Sequence, residues 1–471
     1  MDALLGYARG GVLPFHMPGH MQGRGAPEDL RALLGMPALA ADTTQVLDLD
    51  DIHRPRTALK AAMELAARAW GAERTWFLIN GSSCGNLAMI LATVGPGQEI
   101  LVPRAAHRSV HGALVLSGAR PVYLESPLDD EMDVHNPVEP EALARALEAH
   151  PQARAVFFTS VTPYGVAAAV EDLVALGRER DLPVLVDEAW GPHLVFHPDL
   201  PTSALTVGAD LVVHSAHKLL SALSQASLMH QSGHRVDPAR VELVLRMLQS
   251  TSPNCLLVAS LDSARRQVAL QGTRDWQYAL DLAGAAREAL ARVPGVRSLG
   301  TDRCARYDRT RLVVSALELG YTGVDLERHL RDHEAIQVEM SDLRNIVVLV
   351  TPAHQSQDLE RLVGALARLP RREGPARIPS LAETFPIPEQ AMTPREAFYG
   401  STCVIPIGQA PGRICAEFLT PYPPGIPLLC PGEVFCAAHV DHLNRALAAG
   451  IPWEGPADPT LQTVRVVVDP L

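Results

Sequence analysis

No two cysteines in this chain have the spacing of a metal knuckle or a redox pair. The seven, at positions 84, 255, 304, 403, 415, 430 and 436, are scattered and include no Cys-x-x-Cys. That pattern argues against both a zinc site and a disulfide framework. The eighteen histidines include no His-Glu-x-x-His, so no metal site is expected. No apolar run reaches the roughly 18 residues that a membrane span requires, although 47% of the residues are hydrophobic. The first residues, Met1-Asp2-Ala3-Leu4-Leu5-Gly6-Tyr7-Ala8-Arg9, contain no basic stretch leading into an apolar one. No secretory signal is read there, and a cytoplasmic location is expected. Positive charge is in deficit, the net charge being −12. Nucleic-acid binders usually carry a basic footprint, so nucleic acid is not an expected partner. A cationic small molecule is compatible with this balance. Gly-x-Gly-x-x-Gly nowhere opens a strand–helix unit, which leaves a dinucleotide-binding dehydrogenase without its fingerprint. Fixed-period repeats and long low-complexity tracts are also missing.

What the chain does have is alternation. Its 471 residues suggest two to three domains. After a Gly- and Pro-rich segment over 1–55, an Ala-rich pattern from Leu59 to Trp70 predicts a helix ending at Gly71. Apolar runs that read as strands follow at Thr75 to Ile79, Glu99 to Val102, Pro121 to Leu124, Ala155 to Thr159, Pro183 to Asp187 and Asp210 to His214. Helical patterns lie between them, at Leu87 to Val94, His107 to Ser117, Pro140 to Ala149 and Val170 to Arg180. Strands alternating with helices in this way predict an α/β fold with a mainly parallel sheet covered on both faces. Two further helices, Pro238 to Gln249 and Leu256 to about Ala291, complete a large domain over 56–290. A smaller α/β domain over 291–372 carries expected strands at Thr310 to Leu317 and Asn345 to Val350. A linker around Arg371 to Pro375 leads to a Pro-rich C-terminal domain, 373–471. It includes Pro421-Tyr422-Pro423-Pro424-Gly425-Ile426-Pro427, whose prolines exclude a regular helix there.

Four features fall at successive strand ends of the expected sheet. Gly81-Ser82-Ser83-Cys84-Gly85 stands between a strand and a helix, where glycines, serine hydroxyls and a helix amino terminus suit a phosphate. His107 opens a helix and has a ring able to stack on a planar cofactor. Asp187 ends an apolar strand, where a carboxylate can hold a pyridine nitrogen protonated. Lys218, in Ser215-Ala216-His217-Lys218, follows the last strand, and an amine in such a cleft loses its proton more easily than a solvated one. Singly, each has a plain explanation as a capping or loop residue. Together, a phosphate cradle, a stacking ring, an acid for a ring nitrogen and a lysine for an imine describe a pyridoxal-phosphate site.

These segments resemble those of the Orn/Lys/Arg decarboxylase family in its short form, enzymes of the fold-type-I, aspartate-aminotransferase-like class. The likeness runs nearly end to end. It rests on Phe15 to His20, Asp48 to His53, Asn80 to Leu87, His107-Arg108-Ser109-Val110, Thr162 to Val166, Asp187 to Gly191, Ser215 to Ser227, Leu248 to Pro253 and Pro421 to Glu433. Two positions depart from the family pattern: Met21 stands where a lysine is usual, and Gln45 where an acidic residue is. The resemblance implies that Lys218 forms the imine with pyridoxal 5′-phosphate and that Asp187 pairs with the ring nitrogen. His107 then stacks on the ring, with Ala189 on the opposite face. Ser82, Ser83, Ser215 and His217 hold the phosphate or the lysine segment. Thr251 or Ser252 reaches the phosphate of a neighbouring subunit, since sites of this class lie at a dimer interface. Glu433 meets the distal cation of the substrate.

The implied reaction is α-decarboxylation of a basic amino acid, with arginine first and lysine or ornithine as alternatives. Lys218 and His217 are both candidates for the acid that protonates Cα. A homodimer or higher homo-oligomer is implied, but not a decamer built through an extra N-terminal domain. Two other readings stay open: an aminotransferase or carbon–carbon lyase on the same scaffold, and a catalytically silent homologue with a binding role.

Overall fold

The computed structural model describes residues 1–46, 49–129, 131–302, 304–374, 376, 387–421, 425–448 and 451–468. Asp48 of the acidic loop, Pro375 of the linker and Tyr422 to Pro424 of the Pro-rich stretch lie outside them.

Seven strands form the central sheet: β1 (Arg74–Leu78), β2 (Glu99–Pro103), β3 (Arg120–Leu124), β4 (Ala155–Thr159), β5 (Val184–Asp187), β6 (Leu211–His214) and β7 (Ser227–Gln231). Their order is β1-β7-β6-β5-β4-β2-β3. Only β7 runs against its neighbours; the pairs β2–β3, β2–β4, β4–β5 and β5–β6 are parallel. The mainly parallel sheet expected from the alternation is therefore present.

The strands read as continuous apolar runs because both faces are buried. Alternate residues feed two separate cores. Phe77, Leu101, Val156, Phe158, Val184, Val186 and Val212 face one layer. Trp76, Leu78, Ile100, Val102, Phe157, Leu185, Leu211 and Val213 face the other. This is the period of two that a pleated strand imposes. Helix α1 (Ala58–Trp70) covers the first layer with Leu59, Ala62, Met63, Ala66 and Trp70. Helices α2 (Gly81–Thr93), α3 (Arg108–Ser117) and α4 (Pro238–Leu248) cover the second.

Helix α2 departs from expectation. It begins at Gly81 rather than Leu87, so the expected phosphate loop is itself the start of the helix, about its first turn and a half. Gly85 makes this possible: a Cβ there would lie 2.4 Å from Val213 Cγ2 and 3.0 Å from Leu78 Cδ1. Only glycine lets the helix settle against β1 and β6. The N-terminal segment also differs. It contains helices over Asp2–Arg9 and Glu28–Ala41, the second broken at Gly35 (φ 72°) with Pro37 inside it. Such residues read as loop formers, which is why the sequence conceals this helix.

The 36-residue helix α5 (Cys255–Leu290) joins two cores. Leu261, Ala264, Val268, Trp276 and Ala279 pack under the central sheet. Leu282, Ala283, Ala286 and Leu290 pack under a second, four-stranded antiparallel sheet. That sheet comprises β8 (Arg297–Ser298), β9 (Arg311–Ser315), β10 (Met340–Ser341) and β11 (Asn345–Leu349), in the order β8-β9-β11-β10. The C-terminal region has its own core, built on Cys415, Leu419, Leu429, Phe435, Leu443 and Trp453. No helix among the described residues is long and apolar enough to cross a membrane.

Candidate active site

A cavity of about 350 Å³ opens at the carboxyl edge of the parallel strands, where open α/β sheets take their ligands. Its wall includes Gly81, Ser82, Ser83 and Asn86 from the start of α2, and Pro103 to His107 after β2, Arg104 excepted. Thr159 stands at the end of β4, Asp187, Ala189 and Trp190 follow β5, and Ser215, His217 and Lys218 follow β6. Gly425 and Ile426 close it from the C-terminal region. Strand register brings Thr159 level with Asp187, and Asp187 level with Val213.

Lys218 sits in a single helical turn, Ala216–Leu219. It is half-buried, with Nζ 3.9 Å from the centroid of the Trp190 ring. Desolvation dominates its titration and lowers it from 10.5 to about 8; Arg311 adds to this, while Asp187 and Glu339 oppose it. Asp187 is buried, and each of its oxygens has a partner. Asn86 Nδ2 donates to Oδ2 at 2.8 Å, and the Ala189 N–H donates to Oδ1 at 3.0 Å. Asn86 also donates to Ser109 Oγ, at 3.0 Å.

His107 is the N-cap of α3, its Nδ1 accepting from the Ser109 N–H at 3.2 Å. The ring is open to the cavity, yet the enclosing walls desolvate it and hold its pKa below the ordinary histidine value, with Lys218 and Arg108 in the same direction and Asp187 against. Desolvation also lowers His217, whose Nδ1 donates to the Ala226 carbonyl at 2.9 Å. Ser82 Oγ is buried within 2.7 Å of Ser215 Oγ and 3.2 Å of Ser227 Oγ. Ser83 is exposed at the helix start.

Three of the expected site residues stand elsewhere. Thr251 and Ser252 are exposed and outside the cavity, beside the N-terminal segment: the Thr251 carbonyl accepts from Gln45 Nε2 at 2.9 Å, and Ser252 Oγ lies 3.7 Å from Met17 Sδ. Glu433 is fully buried and does not line the cavity. Arg104 grips both of its carboxylate oxygens, and the Cys430 N–H donates to Oε2 at 2.7 Å. A carboxylate so engaged has no free edge for a substrate cation in this arrangement.

Asn86 and Trp190 are site residues to which sequence reasoning gave no role. A signal for Asn86 was available: it is four residues after Ser82, hence on the same helix face.

The wall fits pyridoxal phosphate on its own chemistry. The N-cap of α2, Asn80, makes no side-chain capping bond, so first-turn amides are available to an anion. Asn86 Oδ1 and Thr159 Oγ1 are buried without hydrogen-bond partners, and Lys218 makes no ion pair among the described residues. No grouping of three His, Cys, Asp or Glu able to hold a metal occurs among the described residues.

Residues 1–306 match the family model for the Orn/Lys/Arg decarboxylase major domain, and residues 380–450 match its C-terminal domain. The chain is 40% identical to an arginine decarboxylase of Bacillus subtilis strain 168, over 96% of this chain and 94% of that one. It is 38% identical to an arginine decarboxylase of Bacillus anthracis, over 99% and 96%. Among solved structures, the Francisella novicida lysine decarboxylase LdcF superposes with a TM-score of 0.85 at 19% identity, covering 99% of this chain and 80% of that one. At that identity the superposition speaks for the fold.

Proposed function

The chain belongs to the Orn/Lys/Arg decarboxylase family, and we propose that it removes the α-carboxyl group of arginine, giving agmatine and CO₂. The choice of arginine is supported by relatives of that name at 38–40% identity over nearly the whole chain. The observation that carries the reaction is Lys218, an amine of lowered basicity facing Asp187 across a cavity at the sheet edge. Composition supports it independently. Lys60 and Lys218 are the only two lysines among 41 Lys and Arg residues. Arginine serves almost everywhere that a cation is wanted, but a guanidinium stays charged and cannot serve as a nucleophile.

Pyridoxal phosphate, when bound, supplies an electron-poor ring that accepts the electron pair left on Cα as the bond to the carboxylate breaks. The side chains do the rest. Lys218 is the attachment point, and with a pKa near 8 a usable fraction of its amine is neutral near neutral pH. Asp187, fixed by Asn86 and the Ala189 amide, holds a negative charge toward the cavity and stabilises a proton on the ring nitrogen. His107, kept neutral by desolvation, presents a flat face, with Ala189 opposite. Ser82, Ser83, Ser215 and the first-turn amides of α2 hold the phosphate.

One proton must replace CO₂ at Cα. We assign it to Lys218. His217 already donates Nδ1–H to a carbonyl, and its lowered pKa leaves Nε2 without a proton, which makes it the poorer acid. Thr251 and Ser252, exposed on this protomer, are assigned to the phosphate of a partner subunit's cofactor, which requires a homodimer.

The test is CO₂ release from arginine, lysine and ornithine in parallel, with pyridoxal phosphate added. Agmatine from arginine at the highest kcat/KM is the expected result. An oxo acid in place of CO₂ would move the reading to transamination.

A further inference from the structure

Arg104 breaks the pattern of its own segment. Pro103, Ala105, Ala106 and His107 line the cavity, while Arg104 turns away from it and enters the C-terminal region. Its Nε donates to the Pro427 carbonyl at 3.1 Å, and Nη2 donates to the Leu428 carbonyl at 2.9 Å. Nη2 also donates to Glu433 Oε2 at 2.9 Å, and Nη1 to Oε1. The guanidinium lies over the Tyr123 ring, 4.7 Å from its centroid. The pair is desolvated, Arg104 being 12% and Glu433 0% exposed.

Glu433 is held as firmly from its own side. Its carboxylate accepts from the Cys430 N–H, and its carbonyl accepts from the Cys415 N–H at 2.7 Å. Gly432 before it has φ +94°, and a Cβ there would lie 2.3 Å from the Met392 carbonyl oxygen. The Pro-Gly-Glu turn is thus built to deliver one carboxylate to one guanidinium. The residues held by this grip, Pro427 and Leu428, directly follow Gly425 and Ile426, which form the cavity's C-terminal wall.

We propose that the Arg104–Glu433 pair is a clamp that sets the position of the Gly425–Ile426 wall, and through it which basic side chain fits the cavity. Glu433 is then a positioning residue that does not touch the substrate. This deepens the decarboxylase reading and rests on it for the word substrate. One segment, 103–107, carries the clamp outward and His107 inward, so a shift of the wall is felt beside the cofactor residues.

The experiment uses full-length protein with pyridoxal phosphate and three variants, Arg104→Met, Glu433→Gln and the double variant. Two readouts are taken: KM and kcat for arginine and ornithine, and hydrogen exchange at Leu428 and Cys430 without substrate. Either single change should raise the arginine KM by about tenfold, the scale of a pocket contact mis-set by a methylene, with kcat changed less than the KM. The preference for arginine over ornithine should shrink, and exchange should quicken. The double variant should be no worse than the worse single one, because it leaves no unpaired buried charge. If a single variant does not fold, the double one decides through the same KM ratio.

Glu433→Gln impairing arginine turnover while Arg104→Met leaves it at wild type would overturn the clamp and put Glu433 on the substrate. So would unchanged exchange in all three variants. No CO₂ from any amino acid with the wild-type protein would sink the decarboxylase reading and the selectivity claim together, and exchange alone would then decide whether the pair is a clamp.

Discussion

Lys218 owes its reactivity to where it stands. An ammonium placed over Trp190 and inside a cavity loses more hydration than Asp187 returns, and the proton leaves near pH 8 instead of 10.5. Lys218→Ala should lower CO₂ release by at least about 10³-fold; a variant with wild-type turnover contradicts the assignment. The same shift has a consequence for stability. The folded state gives up this proton before the unfolded state does, so the cost of holding the ammonium is full below about pH 8 and fades toward pH 10.5. Thermal unfolding of cofactor-free protein should show the gap between Lys218→Met and wild type narrowing across that window, and a constant gap refutes it. Asn86→Ala removes a hydrogen bond to a charged group, worth about 1.5 kcal/mol, or tenfold in kcat/KM. Lys218, Asp187 and His107 were legible in the sequence because each ends or follows an apolar strand. Arg104 was not: its partner Glu433 is 329 residues away, and no local pattern links them.

At the scale of elements, six of the seven central strands, all but β7, were readable almost to the residue. A strand buried on both faces has no choice but an apolar run, and β4 spans Ala155–Thr159 in both readings. The start of α2 was not readable. Gly81 to Gly85 carries the composition of a loop, and the close packing of Gly85 on Val213, which a Cβ would block, is a long-range contact that no local pattern reveals. Gly85→Ala should therefore push α2 away from β1 and β6 and lower stability by about 1–3 kcal/mol. Chemical denaturation measures this. A neutral result would mean that the helix can slide without cost. Because α2 also carries Ser82 and Asn86, weaker pyridoxal phosphate binding should accompany the lost stability.

At the scale of the molecule, the cavity is a meeting place. The start of α2, the ends of the parallel strands and a loop from the C-terminal region all contribute to its wall. The fold class was legible from alternation alone, since it follows from local periods. The place of Gly425 and Ile426 in that wall was not, because it depends on how the C-terminal region seats on the central sheet. The proposed reaction depends on one amine, and the composition supplies its own control. Lys60, the other lysine, is exposed on α1 beside Glu64. Purified protein incubated with pyridoxal phosphate should be reduced with borohydride, digested and mapped by mass spectrometry. A single pyridoxyl mark is expected, on the peptide holding Lys218, and it should be lost when arginine is supplied before reduction. A mark on Lys60 alone, or none on Lys218, would contradict the proposed reaction.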